Sequence, residues 1–218
     1  NKEIYVPDFK EPHSLIESDV LGVKFSFDGE RYKRLKHGGG LLEKSKYIAQ
    51  YKKELGIKST ICAVDASTLY SCHLGFLDSL PECLPDVNYK FLISIRDPWA
   101  RAVSHYKFSK MRGEEPREFS EALTDELKGN REDWLLKGYA LGSRYDFLLR
   151  AIIDKFGVDS VRVFKVDGDF KIDQSTLDKI SSFIGVSNFS YDFDVYSNTS
   201  NQKLEGVFLK LRIFARKL

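Results

Sequence analysis

Two patterns of hydrophobic and polar positions follow one another along this chain: short unbroken apolar runs, and longer stretches in which apolar residues recur every three or four positions. Residues 60–65 (Thr60-Ile61-Cys62-Ala63-Val64-Asp65), 91–95 (Phe91-Leu92-Ile93-Ser94-Ile95) and 160–166 are of the first kind. Such runs predict strands covered on both faces of a parallel sheet, with 91–95 as the central one. Helices are predicted over 43–55, 75–84, 120–128 and 173–184, with Phe119, Ala122 and Leu123 facing inward. A longer helix opens at Tyr139 and carries a stripe of Leu148, Leu149, Ile152, Ile153 and Phe156. Residues 202–218 form another amphipathic stretch, whose basic ridge of Lys210, Arg212, Arg216 and Lys217 either approaches a phosphate or, the better reading, is a solvated face. Near the start, Pro7 and Pro12 oppose helix, so residues 4–17 read as an extended segment and turn. Strand-then-helix alternation predicts one α/β domain over 1–218, a doubly wound parallel sheet with ligands at the carboxyl ends of its strands.

The sharpest boundary in this pattern follows Ile95. Asp97 suits a helix N-cap and Pro98 the first helical position, so strand passes into helix with almost no loop. A helix N-terminus offers unpaired N–H groups and a positive dipole end to an anion. Arg96 adds a planar fork of donors, and Ser104 stands about two helical turns further on. Helical side chains lean toward the N-terminus, so arginine and serine can converge on one phosphate or sulfate. The same spacing also fits a plain junction in which Arg96 pairs with a carboxylate.

Composition narrows the field only modestly. With 42% hydrophobic and 30% charged residues and a net charge of +2, the chain offers no polybasic surface for a nucleic acid polymer or a membrane, so an anion site has to be local. The three cysteines, Cys62, Cys72 and Cys83, have no metal-ligand spacing and read as reduced, which favours a cytoplasmic setting; no metal is expected. No apolar run approaches the ~20 residues that span a bilayer, and Asn1 onward shows no signal-peptide pattern. Gly38-Gly39-Gly40 lacks a preceding strand and a following Gly-Lys-Ser/Thr, and reads as a turn. A hydrolase would need a Gly-x-Ser-x-Gly nucleophile that the chain does not contain.

Two further groups carry chemistry. In Lys10-Glu11-Pro12-His13, Glu11 is either a solvated loop charge or a general base, and His13 either assists it or is a hydrogen-bonded loop histidine. Asp65, followed by Ser67 and Tyr70, either orients a substrate hydroxyl or a lysine, or caps the following turn.

The string Arg96-Asp97-Pro98-x-x-Arg101-Ala102-x-Ser104-x-Tyr106 resembles the 3′-phosphate-binding motif of sulfotransferases that use 3′-phosphoadenosine 5′-phosphosulfate (PAPS). The resemblance extends more weakly over about residues 4–185. It implies a three-layer, P-loop-like parallel sheet flanked by helices, and 3′-phosphate binding by Arg96 and Ser104. Arg101 and Tyr106 match as well and are expected to serve packing or ion pairing. Lys10-Glu11-Pro12-His13 is similar to a segment whose glutamate is the catalytic base in bacterial and heparan-modifying members, which implies that role for Glu11. Asp65, Ser67 and Tyr70 are a looser match to a Glu-x-Ser/Thr-x-x-Tyr segment near the acceptor, which implies substrate binding. Gly142-Ser143-Arg144-Tyr145 and Phe183-Ile184-Gly185 resemble later family segments.

The implied reaction moves a sulfuryl group from PAPS to a hydroxyl or amine, leaving adenosine 3′,5′-bisphosphate (PAP). Carbohydrate, lipid and small-metabolite acceptors stay open, as does oligomeric state. In that family a strand, a lysine-containing glycine-rich loop for the 5′-phosphosulfate and a helix come before the Lys-Glu-x-His segment. None of these precedes Asn1, so the expectation is a domain shortened at its N-terminus and weakened in turnover. Two other classes stay in view. A nucleotide-dependent phosphotransferase would use a similar sheet, though no Walker-type loop or acidic magnesium site is visible. A non-catalytic module gripping sulfated or phosphorylated ligands would need Arg96 and Ser104 but not Glu11.

Overall fold

The computed structural model describes residues 3–6, 15, 44–58, 60–130, 138–166 and 172–190. Its parallel strands come in two pairs. β1 (Ile4–Tyr5) pairs with β2 (Cys62–Ala63), the crossover containing α1 (Lys44–Leu55). β3 (Phe91–Ile95) pairs with β4 (Val161–Lys165) in an unbroken register from Phe91 opposite Val161 to Ile95 opposite Lys165. Between β2 and β3 lie a 3₁₀ turn (Thr68–Cys72) and α2 (Phe76–Cys83). Between β3 and β4 lie α3 (Pro98–Met111), α4 (Phe119–Leu127), a 3₁₀ turn (Leu141–Ser143), α5 (Tyr145–Phe156) and a 3₁₀ turn (Val158–Ser160). α6 (Gln174–Ile184) follows β4. This is the expected α/β class, parallel strands flanked by helices in the manner of a three-layer fold.

Helix ends obey local chemistry. Asp97 accepts the Ala100 N–H at 2.7 Å and Pro98 opens α3, as the sequence predicts. Asp173 likewise accepts the Thr176 N–H at 2.8 Å, and α6 stops at Gly185, whose φ of 78° is left-handed. The main core joins Tyr47 and Tyr51 of α1, Phe76, Leu77 and Leu80 of α2, Leu148 and Ile152 of α5 and Val161 of β4. A smaller cluster unites Ala102 of α3, Ala122 of α4 and Tyr139. Cys62, Cys72 and Cys83 are unbridged.

Four expectations change. β2 is shorter than 60–65 because β1 offers it two residues, with Ile61 and Val64 held at the margins by Glu3 and Tyr5 carbonyls. β3 alternates: Phe91, Ile93 and Ile95 are half-buried, whereas Leu92 is 44% exposed, so double-sided cover is not seen among the described residues. The long helix begins at Tyr145 rather than Tyr139, because Glu126 takes the N–H groups of Tyr139, Ala140 and Leu141 and fixes a separate turn there. Within α5, Ile153 is exposed; Leu148 and Ile152, one turn apart, define the buried face and leave Ile153 at its flank. Residues 202–218 lie outside the described residues. Among the described residues no helix is long and apolar enough to cross a membrane.

Candidate functional site

Arg96 leaves the carboxyl end of β3 and Ser104 sits on the second turn of α3; both side chains are exposed. Among the described residues the Arg96 guanidinium donates one bond, from Nη2 to the Ala100 carbonyl at 3.1 Å, out of five N–H donors it carries. Its backbone N–H points to the Tyr145 hydroxyl at 3.5 Å. The helix terminus itself is less open to an anion than the sequence suggests. Asp97 occupies the positive end of the dipole and already holds the Ala100 N–H, while Pro98 has no N–H to offer. An anion at this junction therefore relies on the Arg96 fork and the Ser104 hydroxyl more than on backbone donors.

Arg101, three residues before Ser104, turns inward instead. Its Nη1 donates to the Tyr139 carbonyl at 3.5 Å and to Ser143 Oγ at 3.3 Å, tying α3 to the Leu141–Ser143 turn. Gly142 makes that approach feasible, since a Cβ there would collide with the guanidinium. Tyr106 donates to the Arg117 carbonyl at 3.1 Å and packs its ring near Phe119 and Tyr139. Both residues have the packing role expected of them. Glu126, 6% exposed, receives three backbone N–H groups and holds the same turn from the other side. The sequence carried a signal for it: Glu126 lies one turn after the inward-facing Ala122 on an amphipathic helix. Burial pushes the Cys72 thiol up, opposed by its hydrogen bond to Ser71 and by Arg101 and reinforced by Glu126.

The Thr68–Cys72 turn packs against the Leu141–Ser143 turn, which links α3 to the second group. That group is centred on Asp65, just beyond β2. Asp65 Oδ1 accepts the Ser67 N–H at 3.0 Å and the Ser67 hydroxyl at 2.6 Å, an Asx-type turn. Oδ2 accepts the Tyr70 hydroxyl at 2.9 Å. Tyr70 stacks on Phe76 at 4.5 Å, and its oxygen in turn accepts the Leu15 N–H at 3.4 Å. Tyr47 and Tyr51 stack at 4.3 Å beneath, with Tyr51 donating to the Val64 carbonyl at 2.8 Å. Burial, reinforced by the Asp65 charge, pushes the Tyr47, Tyr51 and Tyr70 hydroxyls well above the ordinary tyrosine range, so all three stay protonated donors. Spacing alone could not reveal this grouping, because Tyr47 faces Asp65, and Leu15 meets the Tyr70 hydroxyl, from distant parts of the chain.

Glu11 and His13 lie outside the described residues; Leu15, 2% exposed, is the described residue next after them. Among the described residues no group of three or more His, Cys, Asp and Glu side chains has an arrangement to hold a metal.

The geometry is that of a parallel α/β fold with an exposed arginine and serine at one strand end and a half-buried, hydrogen-bonded carboxylate at another. The fold is similar to the crystal structure of a sulfotransferase from Alicyclobacillus acidocaldarius, with a TM-score of 0.69 and 23% identity over 99% of this chain and 85% of that one. No family model matches the sequence, and no curated relative does. At that identity the likeness establishes a common fold.

Proposed function

We propose that this chain transfers a sulfuryl group from PAPS to a hydroxyl or amine acceptor. The observation that carries the reading is the pair of exposed side chains, Arg96 at the carboxyl end of β3 and Ser104 on the capped helix α3, within the 96–106 motif. Their chemistry suits a phosphate monoester: among the described residues Arg96 has donors to spare, and a serine hydroxyl donates one bond. The fold likeness to a sulfotransferase supports the same reading.

In this reading Arg96 and Ser104 hold the nucleotide by its 3′-phosphate. Glu11 takes the acceptor proton as the acceptor oxygen or nitrogen forms its bond to sulfur, with His13 assisting. The bond between sulfur and the bridging oxygen of the 5′-phosphate breaks, and that oxygen keeps the electron pair as PAP leaves. Asp65 and Ser67 stand on the acceptor side. Leu15, four residues after Glu11, lies against Tyr70 and hence near Asp65, which supports grouping the base with the acceptor side. The protein's contribution is positioned charge rather than a covalent intermediate.

Calorimetric titration with PAP, on the chain and on Arg96→Ala, tests the nucleotide half; no binding by the parent, or equal binding by both, would overturn it. Glu11→Gln tests the chemical half: PAP affinity is kept and turnover of PAPS falls at least 100-fold. Undiminished turnover removes Glu11 as base.

A further inference from the structure

We infer that Tyr70 is a positioning residue that fixes the acceptor-side carboxylate and the chain entering at Leu15 in one hydrogen-bonded line; the inference rests on the proposed sulfuryl transfer for its catalytic meaning. The Tyr70 oxygen is shared. It donates to Asp65 Oδ2 at 2.9 Å and accepts the Leu15 N–H at 3.4 Å, joining residues fifty positions apart in the chain through one atom. Both ends of the line are anchored in the fold. Ser67 clamps the other carboxylate oxygen twice, Leu15 is buried in the main core, and the Tyr70 ring lies within 8° of parallel to Phe76. The hydroxyl is held protonated by burial and by the Asp65 charge, so on the alkaline side it stays a donor to Asp65 while the fold holds.

The consequence is mechanical. Rotation of the Asp65 carboxylate about its own axis would break the Tyr70 bond, and a shift of the backbone at Leu15 would break the same hydroxyl's other bond. Tyr70 thus fixes, together with Ser67, the orientation of Asp65 and ties it to the backbone at Leu15, four residues after Glu11 in sequence. Misplacement by about 1 Å between a base and its substrate is worth as much as 100-fold in rate.

Tyr70→Phe keeps the ring stack and removes only the shared oxygen. Three quantities are measured on the full chain: amide exchange at Leu15, PAP affinity, and PAPS consumption at saturating nucleotide with N-acetylglucosamine, glucosamine and p-nitrophenol as acceptor probes. The expected result is at least tenfold faster exchange at Leu15, PAP affinity within twofold of the parent, and PAPS consumption down at least tenfold. Tyr89→Phe is the control, because Tyr89 also has a bound hydroxyl, donated to the Leu80 carbonyl at 2.7 Å, yet lies outside this line; it should leave all three unchanged. Parent-like exchange at Leu15 in Tyr70→Phe overturns the line itself. Faster exchange with undiminished consumption overturns its catalytic role and leaves a structural tie. A parent that neither binds PAP nor consumes PAPS overturns the proposed function instead, and with it the catalytic meaning, while exchange at Leu15, which needs no substrate, still decides the line.

Discussion

The carboxyl ends of β2 and β3 are built on opposite plans. At β3, Arg96 at the strand end and Ser104 on the capped helix α3 are exposed, and among the described residues the Arg96 guanidinium donates one bond. At β2, the Asp65 carboxylate is surrounded by the Ser67 backbone, the Ser67 hydroxyl and Tyr70, with stacked tyrosines below. An exposed cationic end can exchange water for a charged ligand without disturbing the fold. An enclosed anionic end cannot be altered without leaving buried hydroxyls unsatisfied. One end is thus free to serve binding, and the other couples whatever it does to stability.

Replacing Asp65 by Ala should show the largest effect. It strips the acceptor from one N–H and two hydroxyls and should cost about 3 kcal/mol in urea unfolding. For a chain of this size that is roughly 6–12 °C in Tm. A loss below ~0.5 kcal/mol would mean that the enclosed end is not structurally coupled. Next comes Arg96→Ala, expected to weaken PAP binding by about 1.5–3 kcal/mol, an order of magnitude or more, while unfolding stays within ~0.5 kcal/mol of the parent. Equal damage to folding would erase the contrast between the two ends. Ser104→Ala should be milder, about 1 kcal/mol in PAP affinity with stability again unmoved.

The subtlest probe is alkaline titration followed by tyrosinate absorbance. Burial, with Cys83 adding to it, raises Tyr89 to about 12. An unfolded tyrosine ionises near ~10. The folded state therefore holds this proton more tightly, and the stability it contributes is full below ~10 and lost as the pH rises through 12. Tyr47 and Tyr70, more deeply enclosed and facing Asp65, should ionise only as the fold opens, so part of the absorbance change should coincide with loss of circular dichroism. Tyrosinate signal complete before unfolding would show that the Asp65 end is wetter than its geometry.

What could be read from the sequence was whatever four or five neighbouring residues decide among themselves. Asp97 with Pro98, Asp173 with Gly185, and the run from Phe91 to Ile95 each carry their own capping or strand chemistry. The exposed pair Arg96 and Ser104 follows from that junction. Features set by distant partners were hidden. β2 is cut short by a two-residue β1, and the helix expected from Tyr139 is delayed by a carboxylate thirteen positions earlier. The hydroxyls around Asp65 come together only when α1, the Thr68–Cys72 turn and Leu15 pack on one core. Local spacing near Asp65 therefore left two uses open, a turn cap and an acceptor ligand, and the turn it organises is now visible beside the neighbours that enclose it.

The five-residue ladder between β3 and β4 has a consequence during synthesis. β3 leaves the ribosome long before its partner: the chain from Ile95 to Val161 takes roughly 3–13 s to make at ~5–20 residues per second. Throughout that interval Phe91, Leu92, Ile93 and Ile95 form a bare apolar edge, the kind of segment that recruits other chains. Lys90 and Arg96 flank it on both sides, as charged gatekeepers do. Arg96 thus stands where a charge disfavours aggregation of the nascent strand.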